Sequence, residues 1–155
     1  IRRPVHGWEA LGALCDGVGL PWMPKGVLTV GEARLAVDCG ADAVYVSNHG
    51  GRELDDVPAA LDALVPIVDE VGGEVPVFVD GGVRRGSDVV KAAALGASAA
   101  GWGRPTALAL AADGEAGVRR LLELVRDEML TTMTLLGRRG IAELDRSVVQ
   151  RQSMT

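Results

Sequence analysis

The stretch "VPVFVDGGVRRGSDVVKAAALGASAAGWGR" (residues 75–104) contains the repeating unit that decides the fold. It opens with an apolar run at 75–81 and continues as "SDVVKAAALG", a helical pattern that starts at the capping residue Ser87 and stops at Gly96. The next apolar run, 98–104, follows that glycine almost at once. A strand, a loop, a helix and a second strand in this order are typical of parallel βα repeats.

The same rhythm extends through the rest of the chain. Further apolar runs lie at 20–25 and 42–48, and helical patterns at 30–40, 57–73 and 115–137. The runs lack polar alternation, which predicts strands covered on both faces. Four strand–helix units predict an α/β fold and fit half of a (βα)₈ barrel, since a complete barrel needs eight units and typically about 250 residues. A flavodoxin-like sheet is the competing architecture.

Composition and charge narrow the class of protein. The 155 residues are 48% hydrophobic and 24% charged with a net charge of -5, which is typical of a soluble globular domain and argues against nucleic acid as a partner. No apolar stretch is long enough to span a membrane. Cys15 and Cys39 have no metal-ligand spacing, so we expect reduced thiols, a cytoplasmic location and no metal.

Polar side chains gather where the apolar runs end. Lys25 ends the first run, "SNHGGR" (47–52) follows the second, and Asp80 and Arg104 end the third and fourth. Because the C-terminal ends of parallel strands meet at one edge of a sheet or barrel, these side chains are expected to share one site.

Two segments predict phosphate binding. In "VDGGVRRGSD" (79–88) two glycines allow close backbone approach, the following helix is expected to aim free N–H groups outward, and Arg84 adds a fork for phosphate oxygens. Asp80 is expected to accept hydrogen bonds from ligand hydroxyls. "GWGRP" (101–105) supplies a second Gly–Arg pair, with Pro105 in the first turn of a helix and Trp102 filling the core.

The segment "NHGGR" (48–52) predicts the reactive centre. The imidazole of His49 can take a proton near neutral pH, and the guanidinium of Arg52 can hold a carboxylate. Lys25 offers positive charge to an anion that forms during reaction. The alternative is a tight loop in which His49 only caps a neighbouring strand.

Taken together, "KGVLT", "VSNHGGRELD", "VPVFVDGGVRRGSDVVKAAALGA", "GRP" and "DGEAGVRRLLELVRDEM" resemble the C-terminal half of the FMN-dependent 2-hydroxy-acid oxidases and dehydrogenases. The resemblance implies a barrel that carries FMN at its C-terminal mouth. It implies that Lys25 lies near flavin N1 and O2, that Ser47 contacts the flavin, that His49 is the catalytic base and that Arg52 binds the substrate carboxylate. The segments implied to contact the ribityl chain and phosphate are Asp80, Gly81, Gly82, Val83, Arg84, Gly103 and Arg104.

The activity that the resemblance implies is oxidation of a small L-2-hydroxy acid of the mandelate, lactate or glycolate type to the 2-oxo acid. Oxygen, with formation of hydrogen peroxide, or another acceptor then reoxidises the flavin. Residues 1–155 are expected to form the C-terminal half of the barrel. The N-terminal half, from the same gene product or a companion chain, is an expected partner, and a homo-oligomer, a tetramer, is expected.

Two other functions remain open from the residues. Another phosphate-binding flavin barrel, an isomerase or a nucleotide dehydrogenase of the inosinate type, would explain the two Gly–Arg segments but not "SNHGGR". The inosinate type also needs a loop cysteine, and neither cysteine follows a predicted strand. A non-catalytic fragment that binds or assembles is the second alternative, against which the intact Lys25, His49 and Arg52 argue.

Overall fold

A sheet of four short parallel strands organises the chain, of which the computed structural model describes residues 7–150. The strands are β1 (Lys25–Val27), β2 (Val44–Val46), β3 (Val77–Val79) and β4 (Ala99–Ala100). The helices are α1 (Trp8–Val18), α2 (Val30–Asp38), α3 (Ala60–Val71), α4 (Gly86–Ala94) and α5 (Arg104–Leu135). Short 3₁₀ turns lie at His49–Gly51, Ile141–Glu143 and Arg146–Val148.

The strand order and the core support the barrel prediction. The order is β1-β2-β3-β4, so each strand pairs with its neighbour in sequence. One face of the sheet packs against α2, α3 and α4 in a single core, and the opposite face carries the half-buried Tyr45 and Phe78. Helices on one face and sequential order are features of a barrel, whereas a flavodoxin-like sheet has helices on both faces. The core residues include Val27, Ala33, Val44, Val46, Leu64, Ile67, Val71, Val77, Val79 and Ala92.

Within residues 7–150, one face of β2 and β3 is fully buried and the other is half-buried. In β2, Val44 and Val46 are fully buried against the helices, while Tyr45 between them points to the other face. β1 and β4 form the two edges of this sheet.

Most helix ends follow the sequence signals. Thr29 caps α2 in a reciprocal capping box with Glu32, and Gly40 follows with a φ of +88°. Gly96 follows α4 with a φ of +100°. The sequence predicts that Ser87 caps α4. This prediction is wrong, because the helix already begins at Gly86 and its N-terminal cap is Arg85.

Three boundaries differ from the predictions. The run 20–25 is predicted as a strand, but strand β1 starts only at the last residue of the run, Lys25. Helix α1 precedes it and was not expected. Helix α5 begins at Arg104, with Pro105 in its first turn as predicted, and breaks at Asp113 and Gly114, whose backbones are not helical. A short helical segment therefore separates the last strand from the long C-terminal helix.

An ion pair attaches the described residues after α5 to helix α3. The guanidinium of Arg146 donates to both carboxylate oxygens of Asp69 on α3, at 2.6 and 3.3 Å. The predicted fraying of the chain end falls on residues 151–155, outside the described residues. Across residues 7–150 no helix has the length and apolarity needed to cross a membrane.

Candidate active site

A cavity of about 960 Å³ lies at the C-terminal edge of the sheet. Every predicted site residue except Ser47 lines it, so four segments that are distant in sequence meet there. The lining residues carrying these predictions are Lys25, His49, Arg52, Asp80, Gly81, Gly82, Val83, Arg84, Gly103 and Arg104.

A charged network forms one wall of the cavity. The Nζ of Lys25 lies 2.9 Å from Oδ2 of Asp80 and donates to Oγ of Ser47 at 2.8 Å. The Ser47 hydroxyl in turn donates to Oδ1 of Asp80. Lys25 comes from the start of β1, whereas Ser47 and Asp80 directly follow β2 and β3. The three strand segments therefore fix one another through their polar groups.

Ser47 lies behind the cavity surface and is fully buried. Its oxygen accepts from Lys25 and from the backbone N–H of His49 at 3.1 Å while it donates to Asp80. A hydroxyl has one donor and two acceptor sites, so all three are occupied. The flavin contact predicted for Ser47 would have to replace one of these bonds.

The His49 loop is a tight turn with a left-handed backbone. His49 has a φ of +54°, an uncommon conformation for a residue other than glycine, and its side chain is exposed at the cavity. The Asn48 Oδ1 accepts from the N–H of Gly50 at 3.1 Å and holds the turn. Arg52 donates from Nε to the carbonyl of His49 at 3.4 Å, so the imidazole and the guanidinium lie on one short loop.

Open backbone and further positive charge also line the cavity. Gly82 and Gly103 both line the cavity, and a Cβ on either would meet no atom within 4 Å. Gly103 is also the N-terminal cap of α5 and, having no side chain, leaves the start of the helix without a side-chain cap. Arg84 and Arg104 line the cavity as well. Such a helix N-terminus beside two guanidinium groups suits a phosphate.

The predicted free N–H groups at the start of α4 are a wrong expectation. The N–H groups of Arg84 and Arg85 donate to Oδ2 of Asp88 at 3.1 and 3.3 Å. The N–H of Gly86 donates to Oε2 of Glu128, on α5, at 2.7 Å. Because carboxylates already occupy these donors, the start of α4 is not open to an anion.

Sequence reasoning missed Tyr45 and misplaced Trp102. Tyr45 lines the cavity, and Lys25 Nζ lies 5.0 Å from the centre of its ring. Strand alternation could have revealed it, because Tyr45 must face away from the side of β2 on which Val44 and Val46 pack against the helices. Trp102 was expected in the core but lines the cavity in a half-buried position.

Burial, and then the nearby carboxylate of Asp80, raise the pKa of the Tyr45 phenol above its usual value.

Comparison with known proteins places this cavity in context. Residues 1–151 match the family described as FMN-dependent dehydrogenase. The chain is 51% identical over 143 residues to glycolate oxidase 3 of Arabidopsis thaliana, covering 92% of this chain and 39% of the relative. It is 51% identical over 140 residues to glycolate oxidase of Spinacia oleracea, covering 90% of this chain and 38% of the relative. The chain thus spans about two fifths of the length of these relatives.

Solved structures agree in fold. A mandelate oxidase variant with a monooxide FMN adduct superposes with a TM-score of 0.86 at 48% identity, over 91% of this chain and 45% of that chain. A lactate oxidase from Pediococcus acidilactici superposes with a TM-score of 0.87 at 40% identity, over 92% of this chain and 40% of that chain. On the match over nearly all its residues, the chain belongs to the FMN-dependent dehydrogenase family.

Proposed function

We propose that the protein containing this chain binds FMN and oxidises a small L-2-hydroxy acid to the corresponding 2-oxo acid. One observation carries the proposal: Lys25, His49, Arg52, Arg84 and Arg104 converge on a single cavity of about 960 Å³. The substrates named for its relatives, glycolate, mandelate and lactate, are all 2-hydroxy acids.

The cavity has the features that FMN requires. FMN carries a phosphate at one end and a planar ring system at the other. The two open glycines, the uncapped start of α5 and the arginines at 84 and 104 suit the phosphate. Among residues 7–150, Asp80 is the only carboxylate that lines the cavity, and it is already paired with Lys25. The cavity is therefore predominantly cationic.

The proposed contacts of the cofactor follow the order of the cavity wall. The segment 80–84, with the Gly103–Arg104 pair, would hold the ribityl chain and the phosphate. Lys25 would face the pyrimidine side of the ring, where negative charge accumulates on reduction. Bound there, FMN supplies the acceptor for two electrons.

The residues of the short loop would handle the substrate. Arg52 binds the carboxylate of the 2-hydroxy acid and fixes its orientation. An imidazole nitrogen of His49 accepts the proton that the acid loses, which the exposed position of the ring in the cavity permits. Because Arg52 donates a hydrogen bond to the carbonyl of His49, substrate binding and proton removal are assigned to residues of one short turn.

The proposal extends to the rest of the assembly. We propose that four further βα units, in the same gene product or a companion chain, complete the barrel across the edges of β1 and β4. The relatives' greater length and the unpaired edges of the described sheet support this. A tetrameric homo-oligomer in the cytoplasm is proposed, with oxygen or another acceptor reoxidising the flavin.

A visible absorption spectrum of the purified complete gene product tests the proposal. Under anaerobic conditions a bound flavin should be bleached by glycolate, lactate or mandelate added separately, and the extent ranks the acids. His49→Ala should keep the flavin spectrum and lose the bleaching. A preparation that takes up no FMN, or one that FMN enters but no 2-hydroxy acid reduces, would contradict the proposal.

A further inference from the structure

We propose that Tyr45 is a positioning residue for Lys25. Its ring packs against Phe78, and its hydroxyl occupies the space over the backbone of Gly101. In this position the ring holds the ammonium group at one point of the cavity wall. The proposal rests on the proposed function only in that Lys25 is taken to face the flavin.

The register of the sheet sets the contact. Lys25 and Tyr45 are partners in the β1–β2 ladder, so their side chains leave the sheet on the same face. The ammonium of Lys25 lies 5.0 Å from the centre of the Tyr45 ring. This distance is within the range in which the electron-rich face of an aromatic ring attracts a cation.

Two neighbours fix the ring itself. Phe78 is the ladder partner of Tyr45 in β3, and their ring centres lie 6.0 Å apart at an angle of 51°. The phenol oxygen lies over the backbone of Gly101, where a Cβ would stand 2.2 Å from it. The next nearest atom, Cζ of the same ring, would be 3.5 Å from that Cβ. Of the ring's atoms, only the hydroxyl oxygen would clash with a Cβ at position 101.

The ring adds a third restraint on Lys25 to those from Ser47 and Asp80. A lysine side chain has many rotamers, and 39% of this one is exposed. Asp80 holds the ammonium but also offsets its charge. A neutral aromatic ring restricts the ammonium and leaves the charge available to the cavity. The pKa of the Tyr45 phenol is raised by burial and by Asp80, so the ring stays neutral.

A purely structural role for Tyr45 predicts that different substitutions are tolerated. If the ring only fills space between β2 and β3, any apolar side chain of similar volume should serve. If it positions Lys25, a ring is needed and the hydroxyl is not. Tyr45→Phe and Tyr45→Leu separate these two roles.

The first test observes Lys25 without flavin. In the complete gene product labelled with ¹³C at the lysine ε-carbon, the Lys25 signal is assigned by its loss in Lys25→Met. A nearby ring face shifts this signal upfield. We expect the shift in the wild type and Tyr45→Phe and its loss in Tyr45→Leu. An unshifted wild-type signal, or a shift that survives in Tyr45→Leu, overturns the proposal.

The contact at Gly101 gives a second variant that does not depend on Tyr45→Leu folding. Gly101→Ala should displace the ring and move the Lys25 signal toward its unshifted value. Adding Tyr45→Phe removes the oxygen that clashes and should restore the upfield shift. Failure of Tyr45→Phe to restore the signal of a folded Gly101→Ala variant overturns the role assigned to this contact.

A flavin measurement tests the consequence for the site. Tyr45→Leu should weaken FMN binding by about three- to tenfold and Tyr45→Phe by less than about twofold, as expected for loss of one cation–ring contact. The midpoint potential of bound flavin should fall in Tyr45→Leu toward that of Lys25→Met. In the Lys25→Met background Tyr45→Leu should add no further change, and an additive effect would overturn the proposal.

The two measurements separate this inference from the proposed function. A wild type that shows the ring-shifted Lys25 signal but takes up no FMN supports the positioning role and contradicts the flavin function. A wild type that takes up FMN but has no ring-shifted signal contradicts the positioning role alone.

Discussion

The imidazole of His49 lies against the backbone of Gly26: a Cβ at Gly26 would stand 2.7 Å from Cε1 of the ring. Gly26 is the middle residue of β1 and has a φ of +107°. A left-handed backbone and close contact both favour glycine here. The place of the proposed catalytic base is therefore set by a strand that precedes it by more than twenty residues.

We predict that Gly26→Ala slows the oxidation more than it weakens FMN binding. The new methyl group must push the imidazole away, and displacing a reacting group by about 1 Å can cost about a hundredfold in rate. We expect kcat to fall by at least about tenfold, while the FMN dissociation constant stays within about threefold. Anaerobic flavin reduction and fluorescence titration measure the two quantities.

Gly137→Ala is the matched control for this prediction. Gly137 follows α5 with a φ of +67°, so its backbone also favours glycine, but a Cβ there would meet nothing within 4 Å. Its substitution should leave flavin reduction unchanged. If both glycine variants reduce flavin at the wild-type rate, the contact with Gly26 does not set the position of His49.

We predict that Arg104→Met discriminates between FMN and riboflavin. Arg104 begins α5 beside the uncapped Gly103 and lines the cavity, so its guanidinium is expected to hold the phosphate. The variant should bind FMN about tenfold or more weakly, since charged hydrogen bonds contribute about 1.5–3 kcal/mol. Riboflavin, which lacks the phosphate, should bind it as it binds the wild type.

Arg126→Met, at an exposed position of the same helix, supplies the control. It should bind both flavins normally. An equal loss of FMN and riboflavin affinity in Arg104→Met would place the phosphate elsewhere in the cavity.

The sequence predicted which residues line the cavity better than it predicted the hydrogen bonds and packing around them. Glycines after helices and apolar runs before polar loops are local signals, so the order of βα units and the residues of the cavity could be predicted. The hydrogen bond between Gly86 and Glu128 joins residues that are 42 positions apart. No local pattern reveals such a bond. The other two donors at the start of α4 bind Asp88, only three and four positions on, so that part of the capping could have been predicted from the sequence. Tyr45 was missed for a different reason, because an apolar run conceals which of its residues face the cavity.

We predict that Gly86→Ala strongly destabilises the fold. Gly86 is buried at the start of α4, where a Cβ would stand 2.3 Å from the carbonyl oxygen of Val125 and 2.5 Å from the backbone nitrogen of Met129. Two backbones must separate to admit a methyl group, so we expect a loss of about 1–3 kcal/mol or more in the free energy of unfolding. Chemical denaturation measures it.

Gly73→Ala is the comparison for Gly86→Ala, since a Cβ there meets nothing within 4 Å. Glu128→Gln should show a smaller loss, because an amide oxygen can still accept from the N–H of Gly86. Equal stability of the two alanine variants would contradict the close packing of α4 on α5.

We predict that acid releases the C-terminal turns from α3. Hydrogen bonds from Arg146 lower the pKa of the Asp69 carboxyl below its ordinary value of 3.8. A carboxyl whose pKa is lowered by folding stabilises the fold above its ordinary pKa, and this contribution is lost as pH falls through the folded pKa. Amide-exchange protection of residues 141–149 should therefore hold from neutral pH to just above 3.8 and decline below it. Asp69→Asn should lower the protection at neutral pH, whereas Glu123→Gln, which removes an ion pair within α5, should not. Equal protection in Asp69→Asn and the wild type would show that packing alone holds the tail.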